Sequence, residues 1–141
     1  MKKVLFDTNI VLDFLLDRKP FSDYAAFLFT MVERTEIVGY LASTSITTIY
    51  YLSEKVLGKQ QASKHIKTLL SLFEIAPVNR SVLEGAVNSK FSDFEDAVIH
   101  EAAIQAEVKY IVSRDKVGFK KSSIPVYLPE IFIKILISLK E

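Results

Sequence analysis

Three aspartates stand where carboxylates could do chemistry together. Asp7 closes the apolar run Val4-Leu5-Phe6, and Asp115 follows Tyr110-Ile111-Val112 by way of Ser113-Arg114. Asp96 ends the acidic stretch Ser92-Asp93-Phe94-Glu95-Asp96. Carboxylates brought to one edge of a sheet repel one another and raise one another's pKa unless a cation relieves them. Oxygen donors of this kind suit the hard ions Mg²⁺ and Mn²⁺. Such an ion acidifies a bound water and orients it on a phosphodiester. Each acid taken singly has a plainer role. Asp7, Thr8 and Asn9 all cap helices well. Ser92 and Glu95 have the spacing of a capping box, with Ser92 as the cap. Asp96 then falls in or just past a first turn, where the helix dipole favours acid. Asp115 fits an ordinary turn.

The elements that must position these acids are short apolar strands alternating with helical stretches. Val4-Leu5-Phe6, Gly39 to Ala42, Glu74 to Val78, Tyr110-Ile111-Val112 and Ile124 to Leu128 read as strands. Helices are expected over Asn9 to Leu16, from a Ser22-Asp23 cap to about Arg34, and over Ser45 to Leu57 with Gly58 ending it. Further helices are expected over Lys59 to Phe73, Ser81 to Val87 and Asp93 to Glu107, and a last one opens at Pro129. The alternation predicts an α/β fold: a three-layer α/β/α sandwich around a central parallel sheet. Ligand sites in such sheets form at the carboxyl ends of the strands, where the pattern puts Asp7 and Asp115.

Composition narrows the classes. The 141 residues suit one domain, 1–141, with half of them hydrophobic and a quarter charged. The net charge of +1 does not announce a polyanion partner, so any nucleic-acid surface must be a local patch. The absence of cysteine rules out disulfides and thiolate zinc sites, and the two histidines, His65 and His100, lie too far apart for a histidine zinc site. The apolar run Ile131 to Leu139 is too short to span a bilayer and is broken by Lys134. A cytoplasmic protein with no membrane partner is expected.

Along nearly its whole length the chain resembles the PIN-domain family. The segments that carry the resemblance are Val4-Leu5-Phe6-Asp7-Thr8-Asn9-Ile10-Val11-Leu12, then Asp96-Ala97-Val98-Ile99-His100-Glu101-Ala102-Ala103, then Tyr110-Ile111-Val112-Ser113-Arg114-Asp115, with Phe119 after it. A DTN opening is weak alone; the three segments in this order are specific. Many bacterial members are ribonuclease toxins of toxin–antitoxin pairs (VapC type). The resemblance implies a metal-dependent endoribonuclease with Asp7, Asp96 and Asp115 as ligands. It also implies that Asn9 and Ser113 support the site by hydrogen bonding. One departure stands out. The family usually carries a glutamate early in the helix after the second strand, and that place falls at Tyr50. The chain thus looks like a subgroup lacking that glutamate. Glu54, one turn later on the same face, or Asp93 would supply the extra acid; otherwise the site is weak or idle.

Arg114, Lys116, Lys120 and Lys121 cluster beside Asp115 and are candidate phosphate contacts; a solvated turn explains them equally. Tyr50 and Tyr51 read as core rather than base-stacking residues. His100, four residues after Asp96, reads as a packed histidine. The excess of apolar residues over Ile131 to Ile137 and Phe27 to Val32 points to a covered core, a homodimer or a groove for an antitoxin helix. Two functions compete: a Mg²⁺- or Mn²⁺-dependent ribonuclease, and a catalytically idle module that binds RNA or a partner protein. A phosphotransfer enzyme ranks below both, because the chain has neither a GxxxxGK loop nor an Asp-x-Asp after its first strand.

Overall fold

The computed structural model describes residues 1–140. Five strands form one sheet: β1 (Lys2–Phe6), β2 (Ile37–Ala42), β3 (Glu74–Ala76), β4 (Tyr110–Val112) and β5 (Val126–Tyr127). Their order is β3-β2-β1-β4-β5 and every pairing is parallel. The helices are α1 (Thr8–Leu15), α2 (Ser22–Glu33), α3 (Ser43–Leu57), α4 (Lys59–Leu72), α5 (Arg80–Val87), α6 (Phe94–Gln105) and α7 (Pro129–Lys140).

The apolar runs explain the layers. β1 is central, and Val4, Leu5 and Phe6 are all fully buried rather than alternating, as a strand covered on both faces requires. Alternate residues feed separate cores. Val4 and Phe6 point to one face, among Leu12, Leu28, Phe29 and Phe132 of α1, α2 and α7. The Phe6 ring meets Phe29 and Phe73 edge-on, at 5.9 and 5.2 Å between centroids. Leu5 and Ile111 point to the other face, against Val82, Ala97, Ala102 and Ala103 of α5 and α6. The small side chains of α6 let its backbone lie close to the sheet. The result is the α/β/α sandwich expected.

β1 pairs with β2 through Val4↔Gly39 and with β4 through Val4↔Tyr110. The chain builds outward from β1 in both directions, so the order of connection reverses between β1 and β4. The carboxyl ends of those two strands therefore flank a crevice, the usual binding place of an open parallel sheet.

Three local expectations are corrected. Ser22-Asp23 does not cap α2: Phe21 precedes the helix without a side-chain cap, Ser22 is its first residue, and Asp23 pairs with Lys19 at 3.3 Å. The Phe21 ring lies 3.9 Å from the Arg114 guanidinium, and that stack guides the chain into α2 instead. The strands at 74–78 and 124–128 shrink to Glu74–Ala76 and Val126–Tyr127, because only those residues find ladder partners. Gly58, as expected, ends α3, at φ 90°, a conformation glycine adopts without steric cost. In α7, Phe132 and Leu136 are buried while Ile131 and Ile137 stay largely exposed. No helix among the described residues is long and apolar enough to cross a membrane.

Candidate active site

Asp7 ends β1 and is also the N-cap of α1. Its Oδ1 accepts from Thr8 N at 2.8 Å and its Oδ2 accepts from Ser113 Oγ at 2.7 Å. The capping role and the site role thus belong to one buried side chain. Burial pushes its carboxyl above the ordinary range, against the opposing pull of these two hydrogen bonds. Ser113, fully buried just past β4, works in two directions: while donating to Asp7, its Oγ accepts from Asp115 N at 2.9 Å. One hydroxyl therefore ties the ends of β1 and β4 across the switch point.

Asp115 is exposed, but its orientation is set. Gly118 N donates to its Oδ1 at 2.8 Å, which leaves Oδ2 free. Asp96 enters from the other side. The cap of α6 is Asp93 and not Ser92, which corrects the capping-box frame: Asp93 Oδ1 accepts from Asp96 N at 3.0 Å. Asp96 thereby sits at the third position of the helix, half-buried at the crevice. Desolvation lifts its carboxyl first, joined by the charges of Asp7, Asp93, Asp115 and Glu95, up to about 7. Those four acids identify its company. Asp93 and Glu95 act on Asp96, whereas Glu54 is exposed and is not among them. Glu54 lies nine residues beyond Ser45, roughly 13 Å along the helix, so α3 carries it out of reach. Tyr50 is half-buried, and Tyr51, expected in the core, is 56% exposed beneath Lys55 Nζ, which sits 5.2 Å from its ring.

Gly118 is a site residue that sequence reasoning missed. A Cβ there would overlap Asp115 Oδ2 and approach Asp96 Oδ2 to 2.6 Å, so both carboxylates turn their outer oxygens onto this one bare Cα. Gly118→Ala should push them apart and lower Mn²⁺ affinity, read by calorimetry, on the order of 10–100-fold; unchanged affinity would remove this pair from the site.

The basic cluster divides. Lys116, Lys120 and Lys121 are exposed and form no salt bridge among the described residues. Arg114 differs from the expectation. Its Nε and Nη2 grip Asp13 of α1 at 2.7 and 3.1 Å, so it is engaged inward and is not a free phosphate contact. Asp13 is 1% exposed, and a carboxylate so deep needs that partner. Asn9 is exposed; the hydroxyl that braces this corner is instead Thr8, whose Oγ1 donates to Ser45 Oγ at 2.7 Å. His100 is buried, accepts from Ser123 N at 3.1 Å and packs against Phe91, so it braces the end of the Asp115 loop rather than reaching the acids.

The donors are hard oxygens, and no lysine or arginine closes a salt bridge with Asp7, Asp96 or Asp115 among the described residues. No three acids there converge tightly enough to cage an ion alone. An ion at such oxygens would have to keep several waters, as Mg²⁺ does when it takes only one or two carboxylates directly.

The family model for the PIN domain matches residues 3–117. The chain is similar to ribonuclease VapC1 of Aquifex aeolicus (strain VF5), at 28% identity over 136 residues, 93% of each chain. Among solved structures, VapBC2 from Rickettsia felis, bound to a DNA fragment from its promoter, matches with a TM-score of 0.67 and 16% identity over 88% of this chain and 96% of that one. VapC20 of Mycobacterium tuberculosis, a sarcin-ricin loop cleaving toxin, matches at 0.62 and 13% over 77% and 86%. At such identities the structural likenesses speak to fold alone, which here is the sheet and helices already described. With the family match spanning most of its length, from β1 through the Asp115 loop, the chain belongs to the PIN-domain family.

Proposed function

We propose that this protein is a divalent-metal-dependent endoribonuclease whose metal is held by Asp7, Asp96 and Asp115. One observation carries the reading: Asp7, Asp96 and Asp115 come from separate elements to act on one another at the β1/β4 switch point, where burial and these neighbouring charges lift Asp96 to about 7 and the nearest cation, Arg114, is taken by Asp13. When bound, Mg²⁺ or Mn²⁺ would neutralise this charge and supply an acidified water for phosphodiester hydrolysis. The chain's own part is positioning. Thr8 N and Ser113 fix Asp7, Gly118 N fixes Asp115, and the first turn of α6 fixes Asp96. Lys116, Lys120 and Lys121 would hold flanking phosphates in register. Asp93, whose charge acts on Asp96, would supply the extra acid through the oxygen its capping bond leaves free. The name of the ribonuclease relative favours RNA as substrate, and a similar solved structure that is a toxin–antitoxin complex, from Klebsiella pneumoniae, favours an antitoxin as partner. The exposed apolar residues of α2 and α7, Phe27, Ile131 and Ile137, would suit such a partner or a second copy.

Cleavage of a mixed single-stranded RNA by the pure protein tests the reading. Cutting with Mn²⁺ or Mg²⁺ that stops with chelator supports it. Cutting that persists in chelator overturns it. RNA binding without cutting under either metal favours the second reading, an idle binding module, for which Tyr50 at the usual glutamate place is the motive.

A pH dependence follows. Asp96 has a folded-state pKa raised from 3.8 to about 7, so the folded chain keeps a proton that the unfolded chain has released. Stability from this group is present at low pH and is lost as pH rises through about 7. In chelator the melting temperature should fall between about pH 4 and pH 7 and level off above that, and Mn²⁺ should restore it most strongly at and above the upper end, where the ligands are deprotonated. A flat profile would mean that burial and the neighbouring acids do not hold a proton on Asp96.

A further inference from the structure

Beside the acids lies a cleft of about 280 Å³ between α3 and the α5–α6 pair. Thr44, Thr47 and Thr48 of α3 line one side, and Leu83 and Phe94 line the other. Phe94 is 51% exposed and Leu83 41%. Thr8, next to Asp7, and Glu95, next to Asp96, also line it, so the cleft lies beside the acidic corner without including the three aspartates. It contains no lysine or arginine; Glu95 is its one charged residue. A phosphate has no reason to enter. The uncharged part of a nucleotide does, because an aromatic face and an aliphatic side chain line one wall and hydroxyls, which both donate and accept, line the other.

We propose that this cleft is a nucleobase subsite, taking one unpaired base of a single-stranded RNA whose backbone lies at the acids. The proposal rests on the ribonuclease reading and deepens it. Phe94 is the stacking platform and Leu83 the apolar flank. The threonine hydroxyls meet the base edge; Thr47 Oγ1, already donating to Thr44 O at 2.9 Å, keeps its lone pairs for that purpose. A base in a duplex cannot present its face to a side chain, so the subsite selects loops and unpaired strands. Thr8, whose N–H holds the Asp7 carboxylate, lines the same cleft, so a base stacked on Phe94 keeps its own ribose-phosphate within reach of the acidic corner.

Binding is measured by fluorescence anisotropy in chelator, where no metal-dependent turnover occurs. The probes are a labelled adenosine octamer and the same ribose-phosphate octamer without bases. The parent should bind the adenosine octamer on the order of tenfold more tightly than the abasic one. Phe94→Ala should remove most of that difference and Phe94→Trp should keep it. Equal binding of both probes by the parent, or a preference that survives in Phe94→Ala, overturns the subsite. Failure here is distinct from failure of the nuclease reading. RNA cutting with base-independent binding leaves a nuclease without this subsite, whereas Phe94-dependent base preference without cutting leaves a subsite without a nuclease.

Discussion

Asp96→Asn should abolish metal-dependent RNA cleavage and, in the same molecule, raise the melting temperature of the metal-free protein above neutral pH. The two effects have one cause. Asparagine is nearly isosteric and can keep the α6 position, but it removes the charge on which Asp7, Asp93, Asp115 and Glu95 act. Without that charge the metal loses a ligand, and the loss expected is at least on the order of a thousandfold in rate, about 4 kcal/mol of barrier. Without it the remaining acids also repel less, so the fall of stability with rising pH should flatten. Active sites commonly trade stability for function, and here the gain should vanish when Mn²⁺ is present, because the ion relieves the parent of the same strain. A variant that cuts RNA like the parent would remove Asp96 from the chemistry. A variant that loses cutting and also melts lower at every pH would point to a structural role for Asp96 instead.

Arg114→Ala should be the most destabilising single change near the site. It would strand Asp13, 1% exposed, with only Arg18 Nη1 at 3.7 Å in place of a two-pronged guanidinium at 2.7 and 3.1 Å. Removing one partner of a buried ion pair costs roughly 3–5 kcal/mol. In a domain of this size the melting temperature should drop on the order of 10 °C. Arg114→Lys should recover little, because an ammonium can neither form the fork nor stack on Phe21 as a plane does. Cleavage, measured well below the melting temperature, should fall too, since Arg114 lies between Ser113 and Asp115 and anchors their loop to α1. If instead Arg114→Ala keeps the parent's stability and loses only affinity for RNA, the residue is a phosphate contact after all and the ion pair with Asp13 is incidental.

The contrast over Arg114 marks what a sequence can carry. The strands were legible because β1 and β4 are buried on both faces and read as uninterrupted apolar runs. Asp7 and Asp115 were legible because they follow those runs, and Asp96 because it opens a long helical segment with an acid its cap does not explain. Partners far along the chain were not: Arg114 beside Lys116 looks like part of a basic patch, and nothing local reveals Asp13 waiting about a hundred positions away. The α6 cap was misframed by one residue because Ser92…Glu95 and Asp93…Asp96 both have three-residue spacing, and the chain chose the stronger acceptor. Glu54 looked suitable because helical spacing places it on the face of Tyr50. Spacing is silent on the helix axis, which takes Glu54 away from the acids. Gly118 carried a faint signal, a glycine three residues past an aspartate, the pattern of a turn closed on a carboxylate. The role of that bare Cα between two carboxylates needed the fold.

The pairing of β1 with β4 joins residues more than a hundred positions apart, Val4 with Tyr110, and the Ser113 hydroxyl seals that joint at Asp7. β1 is made first yet occupies the middle of the sheet, so until residue 110 and its neighbours exist it has an open edge and no seal. A fragment that stops short of β4 also lacks Ser113, Asp115 and Gly118. The chain is therefore built so that its candidate site arrives last: a copy that stops before β4 lacks half of the site's residues, and whatever chemistry the site performs would begin only with molecules that have finished closing their sheet.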